Sequence, residues 1–177
     1  MKLIAEISDK SLGVGLSEQF GQSYKLRKSA RAVLFNSAGE VCIQYISKHG
    51  HHKPSGGGVE QDERLDDALR REVLEEVGYE IDNLQLLGMI IEYRNRDVGP
   101  DEGLIHISYG YIAHVAGGNG ETAYEQGEID DGMDPVWLPL DKAIESMEGE
   151  NPDRYEGKFM LARDLAFLKE ARDVLGK

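Results

Sequence analysis

The alternation of apolar and polar residues along the chain predicts strands in five short runs. They are residues 26–35, 41–46, 84–93, 104–116 and 136–138. In the fourth run every second residue from Ile105 to Val115 is apolar, so these side chains share one face of the strand. Residues 36–40 have the composition of a turn, which separates the first two strands.

Three segments have the residue spacing of helices. The first begins near residues 62–64 and ends at Gly78, a residue type suited to a left-handed C-cap. Its apolar residues predict the face that packs on the core: Leu65, Ala68, Leu69, Val73 and Val77. Residues 141–147 predict a short helix, and residues 154–175 predict a longer one. Strands and helices in this order predict an α/β fold in which a mixed β-sheet carries helices on both faces.

The length of 177 residues suits one domain with a full core. Residues 1–24 combine a short apolar start with several glycines, and we interpret them as an N-terminal arm or edge strand. Residues 25–177 then form the main domain. The single cysteine, Cys42, excludes an internal disulfide, and its apolar surroundings predict a buried structural thiol.

The net charge of −13 argues against a nucleic-acid polymer or an anionic membrane as a partner. It is compatible with a small phosphorylated substrate, because bound cations reverse the local field. No apolar run approaches the roughly 18 residues that a membrane span needs. The first six residues show no secretory signal, so we expect a cytoplasmic protein.

Three carboxylates are crowded together on the first helix. Glu72, Glu75 and Glu76 stand at i, i+3 and i+4, which places them at neighbouring surface positions. Their mutual repulsion would be relieved by a divalent cation, and hard oxygen ligands suit Mg²⁺ or Mn²⁺. The alternative is a solvated acidic helix face. The preceding residues 56–58 are all glycine, which lets the backbone come close to a ligand.

Residues 57–79 read GGVEQDERLDDALRREVLEEVGY, and this stretch resembles the Nudix box, G-x5-E-x7-R-E-U-x-E-E-x-G-U, where U is a bulky apolar residue. The fixed positions are filled by Gly57, Glu63, Arg71, Glu72, Glu75, Glu76 and Gly78. Val73 and Tyr79 occupy the apolar positions, although an aliphatic residue is usual where Tyr79 stands. The resemblance implies a Nudix-type α/β/α sandwich around a central mixed β-sheet.

The resemblance also implies a role for each acidic residue of the box. Glu72 and Glu76, with Glu75 and the carbonyl of Gly57, are implied as ligands of Mg²⁺ or Mn²⁺. Arg71 is implied to pair with a neighbouring carboxylate and hold it in place, which a planar guanidinium does in a bidentate manner. We expect Glu63, at the start of the helix, to be structural and to accept hydrogen bonds from loop amides.

The reaction implied is hydrolysis of a diphosphate linkage, in a nucleotide or a nucleoside-diphosphate-linked substrate, by a metal-activated water. Glu75, Glu76 and Arg71 are the catalytic candidates within the box. The resemblance places the general base either in the box or on a distant loop, residues 120–133, where Glu128 is the first candidate for a base or metal ligand and Glu125 the second. The alternative reading of that segment is a flexible acidic loop.

Candidates for substrate binding follow the third predicted strand. Arg94 or Arg96 would meet a phosphate and Tyr93 would stack on a base, with ordinary surface residues as the alternative. His106 and His114 lie opposite the apolar face of their strand, and no role is assigned to either.

Two features of the approach to the box depart from the common family pattern. Asp62 replaces a frequent glycine, which is tolerable because aspartate enters the left-handed region more easily than most residues. The loop at residues 47–58 carries His49, His51 and His52, which we interpret as solvated side chains rather than a zinc site, because no cysteine or regular ligand spacing accompanies them.

Two other functions are alternatives to hydrolysis. A non-catalytic Nudix-like module would bind a nucleotide or a partner, but such proteins tend to lose box acids or the arginine, and this chain has them all. Diphosphate isomerisation needs a further acid–base pair to which no residues point. The substrate stays open among nucleoside triphosphates and nucleoside diphosphate sugars, and the N-terminal arm makes a homodimer possible.

Overall fold

The computed structural model describes residues 1–14, 23–99 and 102–176, without the side chains of residues 96–99. In this part of the chain the strands are β1 (Leu3–Ser8), β2 (Ser23–Phe35), β3 (Glu40–Ile46), β4 (His51–Pro54), β5 (Tyr79–Gly99), β6 (Glu102–Gly118) and β7 (Met133–Pro139). The helices are α1 (Asp9–Leu12), α2 (Leu65–Val77), α3 (Gln126–Asp131), α4 (Leu140–Glu148) and α5 (Tyr155–Leu175).

The strands form one mixed sheet in the order β1-β5-β6-β2-β3-β4, and β7 pairs with β3. The pairs β1–β5 and β2–β6 are parallel, whereas β5–β6, β2–β3, β3–β4 and β3–β7 are antiparallel. The sheet therefore has the mixed character that the order of elements predicted.

Helices cover both faces of the sheet. On one face α2 buries Leu69, Val73 and Val77 against a cluster that includes Leu34 and Ala113. On the other face α4 contributes Met147, and α5 contributes Phe159 and Phe167, to a second cluster. In this cluster they pack with Ile43 and Ile90 of the sheet. The predicted α/β/α sandwich is confirmed. The candidate active site lies on the face of the sheet that α2 covers.

The helix of the box agrees closely with its prediction. Arg64 is the N-cap of α2, and Gly78 is a left-handed C-cap with φ 74°. Asp62 adopts φ 63°, as its replacement of a glycine led us to expect. Cys42 is fully buried, and burial raises the pKa of its thiol to about 12, so it is an inert core residue.

One sequence interpretation is wrong. Residues 51–54 form β4 rather than a solvated loop, because they pair with residues 43–46 of β3. This pairing buries His51, and the Nδ1 atom of His52 lies 2.5 Å from Glu150 Oε1.

The face of β6 under α5 also differs from the pattern of its residues. Leu104, His106 and Ser108 are buried, while Ile105 and Ile107 on the other face are only half-buried. At Gly110 an added Cβ would come within 2.2 Å of the Phe167 ring, which shows how closely α5 approaches this face. The buried side of β6 is therefore partly polar, and apolar alternation alone does not identify it.

At the amino end, β1 lies at an edge of the sheet, parallel to β5. Residues 15–22 of the predicted arm fall outside the described residues. The division into residues 1–24 and 25–177 stays a prediction. None of the helices described is long and apolar enough to span a membrane.

Candidate active site

The glycine-rich loop between β4 and α2 lies against β2 and carries its backbone up to the box. Ala30 N donates to Gly57 O at 3.1 Å, and Ala32 N donates to Ser55 O at 2.9 Å. Gly56 has φ 121°, and a Cβ there would lie 2.2 Å from Ala30 O, so only glycine fits. At Gly57 a Cβ would lie 2.1 Å from Glu72 Oε2, so the Glu72 carboxylate occupies the space that a side chain would take.

The three box carboxylates line one cavity of about 240 Å³ together with the loop glycines. Glu76 is only 1% exposed; its Oε1 accepts from Lys53 Nζ and its Oε2 accepts from Gly56 N, both at 2.7 Å. Arg71 Nη1 donates to Glu72 Oε1 at 2.9 Å and to Glu75 Oε2 at 3.3 Å. These bonds gather the acids at the surface of α2 that faces the glycines.

Arg71 is fixed by Glu63 at the start of the box. Its Nε and Nη2 donate to the two oxygens of Glu63 at 3.0 and 3.1 Å, and Nη2 also donates to Gly58 O at 3.1 Å. Glu63 in turn accepts from the amide of Glu60 at 2.9 Å, as predicted for a structural residue. The hydrogen bonds that Arg71 donates to Glu63 are the largest of the effects that raise the pKa of Arg71, so the guanidinium stays positively charged and links the loop to the helix.

The candidate base lies across the same cavity. Glu125 and Glu128 both line it, and α3 carries Glu128 in its first turn. Glu128 Oε2 accepts from Glu125 N at 2.9 Å, which forms a capping box and fixes the orientation of the side chain. The structure thus brings the distant carboxylates to the box, within one cavity.

The cavity holds more negative charge than its neighbours neutralise. Burial raises the pKa of Glu72, and the charge of Glu76 adds to this effect against the hydrogen bond from Arg71. Burial also raises the pKa of Glu128, and the charges of Glu76 and Glu72 raise it further. Both carboxyls are therefore held in surroundings that a cation would relieve.

The donor atoms of this cavity suit a hard divalent cation. They are carboxylate oxygens, with one carbonyl, and Gly57 O accepts one hydrogen bond and so keeps a second lone pair. In the described part of the chain no three Asp, Glu, His or Cys side chains converge tightly enough to hold a metal as they stand. Lys53 and Arg71 hold several of the oxygens instead, so binding an ion requires the carboxylates to exchange partners. The oxygen donor atoms of these residues are of the kind that Mg²⁺ and Mn²⁺ bind.

The two predicted substrate contacts lie in different places. Arg94 is buried, donates to Glu92 at 2.7 Å and lines a second cavity beside the first. Tyr93 points to the other face of β5, where its hydroxyl donates to Glu6 Oε1 at 3.1 Å, and the structure does not bring it to the box. The side chain of Arg96 falls outside the described residues.

Three basic residues at the site were missed by the sequence analysis. Arg27, Arg31 and Lys53 line both the acid cavity and its neighbour. A signal existed for two of them, since Arg27 and Arg31 are four residues apart in a predicted strand and so share a face. Without the position of the glycine loop, nothing in the sequence indicated which face that was.

The sandwich and the acid cavity define a class of protein, a phosphoanhydride hydrolase with its acids on one helix after a glycine loop. The NUDIX domain family matches residues 25–157, three quarters of the chain. The chain therefore belongs to the Nudix family and is a Nudix hydrolase, an enzyme that acts on acid anhydrides in phosphorus-containing compounds.

Solved structures share the fold at low identity. A MutT NUDIX hydrolase from Burkholderia pseudomallei is 20% identical with a TM-score of 0.52, covering 78% of this chain and 98% of that one. An ADP compounds hydrolase is 18% identical with a TM-score of 0.60, covering 85% and 73%. A UDP-X diphosphatase is 14% identical with a TM-score of 0.52, covering 85% and 64%. At these identities the likeness concerns the fold alone. No curated protein matches the chain.

Proposed function

We propose that this chain is a Mg²⁺- or Mn²⁺-dependent pyrophosphohydrolase that cleaves a diphosphate linkage in a nucleotide or a nucleoside-diphosphate-linked small molecule. The observation that carries the proposal is the single cavity lined by Glu72, Glu75, Glu76 and Glu128 against the backbone of Gly57. This arrangement combines hard oxygen ligands with a basic carboxylate at one place, as hydrolysis of a phosphoanhydride requires.

Glu72, Glu75, Glu76 and the carbonyl of Gly57 are the residues that would hold the cation. When bound, a divalent cation there neutralises the diphosphate oxygens and lowers the pKa of a water molecule. The chain's own part is to position these oxygens: Arg71 binds two of the carboxylates, and Gly56 N binds the third. Lys53, on Glu76, adds a positive charge at the edge where the substrate oxygens enter.

Glu128 is proposed as the base that takes the proton of the attacking water, with Glu125, Glu75 and Glu76 as the alternatives within the same cavity. Its raised pKa makes Glu128 a stronger base than an ordinary carboxylate, and its capping hydrogen bond uses Oε2, one of the two carboxylate oxygens of a side chain that lines the cavity. Arg94 is proposed to bind a phosphate of the substrate from the neighbouring cavity, which it lines. Tyr93 would need to leave Glu6 to contact a substrate.

The volumes of the two cavities suit a small molecule, since the acid cavity measures about 240 Å³ and its neighbour about 540 Å³. An ADP compounds hydrolase and a UDP-X diphosphatase have a similar fold, which supports nucleoside-diphosphate-linked compounds as the first class to test. A cytoplasmic location and a homodimer stay predictions from the sequence.

The test is a screen of product release across nucleoside triphosphates, nucleoside diphosphate sugars and dinucleotides, with Mg²⁺ or Mn²⁺, for the wild type and Glu76→Gln. We expect hydrolysis by the wild type and a rate lower by roughly two to four orders of magnitude in the variant. Equal rates in the two proteins would contradict the role of Glu76. Tight nucleotide binding with no product from the wild type over hours would instead identify a binding module.

A further inference from the structure

A second cavity of about 540 Å³ adjoins the acid cavity and shares Arg27, Arg31 and Lys53 with it. Among the residues that the structure describes, six lysines and arginines line this one cavity, whereas Glu156 is the only acidic residue that does so. The six are Lys25, Arg27, Arg31, Lys53, Arg94 and Arg163. In a chain of net charge −13, such a concentration of positive charge identifies a place for an anion.

Part of this charge is neutralised inside the fold. Arg163 donates to Asp164 at 2.7 and 3.0 Å, and to Glu92 at 3.3 Å. Arg94 donates to the same Glu92 at 2.7 Å. Burial lowers the pKa of His106 to about 4, so this residue is neutral and adds no positive charge. The buried carboxylates of Glu92 and Asp164 thus neutralise the buried guanidinium groups of Arg94 and Arg163.

Arg31 is the buried cation of this cavity that takes no part in these ion pairs. It is 6% exposed, and its Nε and Nη1 atoms are buried with no hydrogen-bond partner. Burial and the charge of Arg163 lower the pKa of Arg31 to about 10, which still leaves it protonated at neutral pH. A buried charged donor without an acceptor costs free energy, and an anion in the cavity that Arg31 lines would supply the missing acceptor.

The rest of the cavity favours an anion over a nucleobase. Its described lining contains no Phe, Tyr or Trp on which a nucleobase could stack. The apolar part is confined to Leu26, Leu104 and Met160. At the rim, Arg27 is exposed and forms no ion pair with any described residue, so it is also available to an anion.

We propose that this cationic cavity binds a phosphate group of the substrate that is not part of the scissile linkage. The inference rests on the proposed function, because the shared wall of Arg27, Arg31 and Lys53 places such a group beside a diphosphate held at the box acids. The substrate class is then a nucleotide or nucleoside-diphosphate derivative that carries at least one further phosphate. Arg31 is the residue that recognises this further phosphate.

The first experiment measures thermal unfolding with and without inorganic phosphate in a buffer containing a chelator, so that no metal takes part. We expect phosphate at about 100 times its dissociation constant to raise the unfolding midpoint of the wild type by roughly 5–10 °C. Arg31→Met should lose this shift, and its phosphate-free midpoint should equal or exceed that of the wild type, because an unpaired buried charge has been removed. Arg172→Met, the same change at a partly exposed position of α5 outside the cavity lining, should keep the shift.

Arg27→Gln provides a second variant that does not depend on replacing a buried residue, and we expect it to weaken the phosphate shift. A wild-type protein that hydrolyses nucleotides but shows no phosphate shift overturns the anion site and leaves the proposed function standing. A lower phosphate-free midpoint for Arg31→Met would show that Arg31 is structural, and would also overturn the proposal.

The second experiment separates a substrate phosphate from a separate effector. Inorganic phosphate should inhibit hydrolysis competitively with the substrate, and Arg31→Met should raise its inhibition constant at least about tenfold, which corresponds to the loss of one charged contact. Inhibition that is not competitive would overturn the assignment to the substrate. If phosphate binds through Arg31 in a protein that hydrolyses nothing, the proposed function fails and the assignment to a substrate fails with it.

Discussion

The Glu72 carboxylate packs closely against the backbone of Gly57. Glu72 Oε2 lies where a Cβ of residue 57 would be, at 2.1 Å, so the carboxylate holds its place only because the loop has no side chain there. Since the clash would involve the end of a flexible side chain, the fold could yield by moving Glu72, but the carboxylate would then leave its position beside the loop.

We therefore predict that Gly57→Ala lowers the rate of hydrolysis at least about tenfold while changing the free energy of unfolding by less than about 1 kcal/mol. Gly58→Ala is the matched control, because a Cβ at Gly58 meets only Arg27 Nη2 at 3.9 Å. Steady-state kinetics and urea unfolding of both variants are the measurements. If the two alanines affect the rate equally, the contact has no role in placing Glu72.

At the residue scale, the sequence could predict a role only where that role depends on residues that are neighbours along the chain. The i, i+3, i+4 spacing of Glu72, Glu75 and Glu76 and the left-handed φ of Asp62 are properties of neighbouring backbone, and both were predicted. The isolation of Arg31 is a property of the whole interior. It depends on which buried acids form ion pairs with the other arginines, and no local sequence pattern indicates these pairs.

Among the elements, α3 is the one that decides whether the distant acids belong to the site. The segment before it is tied to the box by Ala123 N, which donates to Glu75 O at 2.7 Å, and to β3 by the hydroxyl of Tyr124, which donates to Gln44 Oε1 at 3.1 Å. The sequence predicted an acidic loop but no helix here, because six residues are too few for an apolar period to appear. The capping pair of Glu125 and Glu128 was the available signal.

If α3 presents a base, Glu128→Gln should lower kcat by roughly two to four orders of magnitude with little change in KM, since glutamine keeps the capping hydrogen bond but accepts no proton. Glu121→Gln, in the same segment but outside the cavity lining, should leave kcat within about twofold. Kinetics under single-turnover conditions measure the chemical step itself. A normal rate for Glu128→Gln together with a large loss for Glu125→Gln would transfer the role to Glu125.

Over the whole molecule, a buried polar layer joins the sheet to α5. Glu92 of β5 pairs with Arg163 of α5 at 3.3 Å, and His106 of β6 lies 3.4 Å from Glu92. Apolar alternation predicted the sandwich, because most of both cores is apolar. It did not predict this layer, since charged residues enter a core only with partners that are distant in sequence.

This layer makes stability depend on pH. Burial would raise the pKa of Glu92, but the charges of Arg163 and Arg94 and the contact with His106 outweigh it and lower the pKa to about 2. The folded pKa is below the ordinary value of 4.5, so the stabilisation is fully present above about pH 4.5 and is lost as the pH falls toward 2.

Glu92→Gln should therefore destabilise the protein by about 3–5 kcal/mol at pH 7, and the difference from the wild type should narrow as the pH is lowered from 4.5. Glu102→Gln, which breaks the more exposed pair with Lys25, should cost less than about 1 kcal/mol. Urea unfolding at a series of pH values measures both. A difference that stays constant between pH 7 and pH 3 would contradict the assigned charge state of Glu92.

The most direct measurement is the rate of hydrolysis of the best substrate against free Mg²⁺ for the wild type and for Glu72→Gln, with Asp67→Asn as an exposed acid of the same helix for control. The wild type should be inactive in a chelator and recover with Mg²⁺, the Glu72 variant should need at least about tenfold more Mg²⁺ for half its maximal rate, and the control should match the wild type. Full activity in the chelator, or the same Mg²⁺ dependence in all three proteins, would contradict the claim that the box carboxylates hold the ion on which hydrolysis depends.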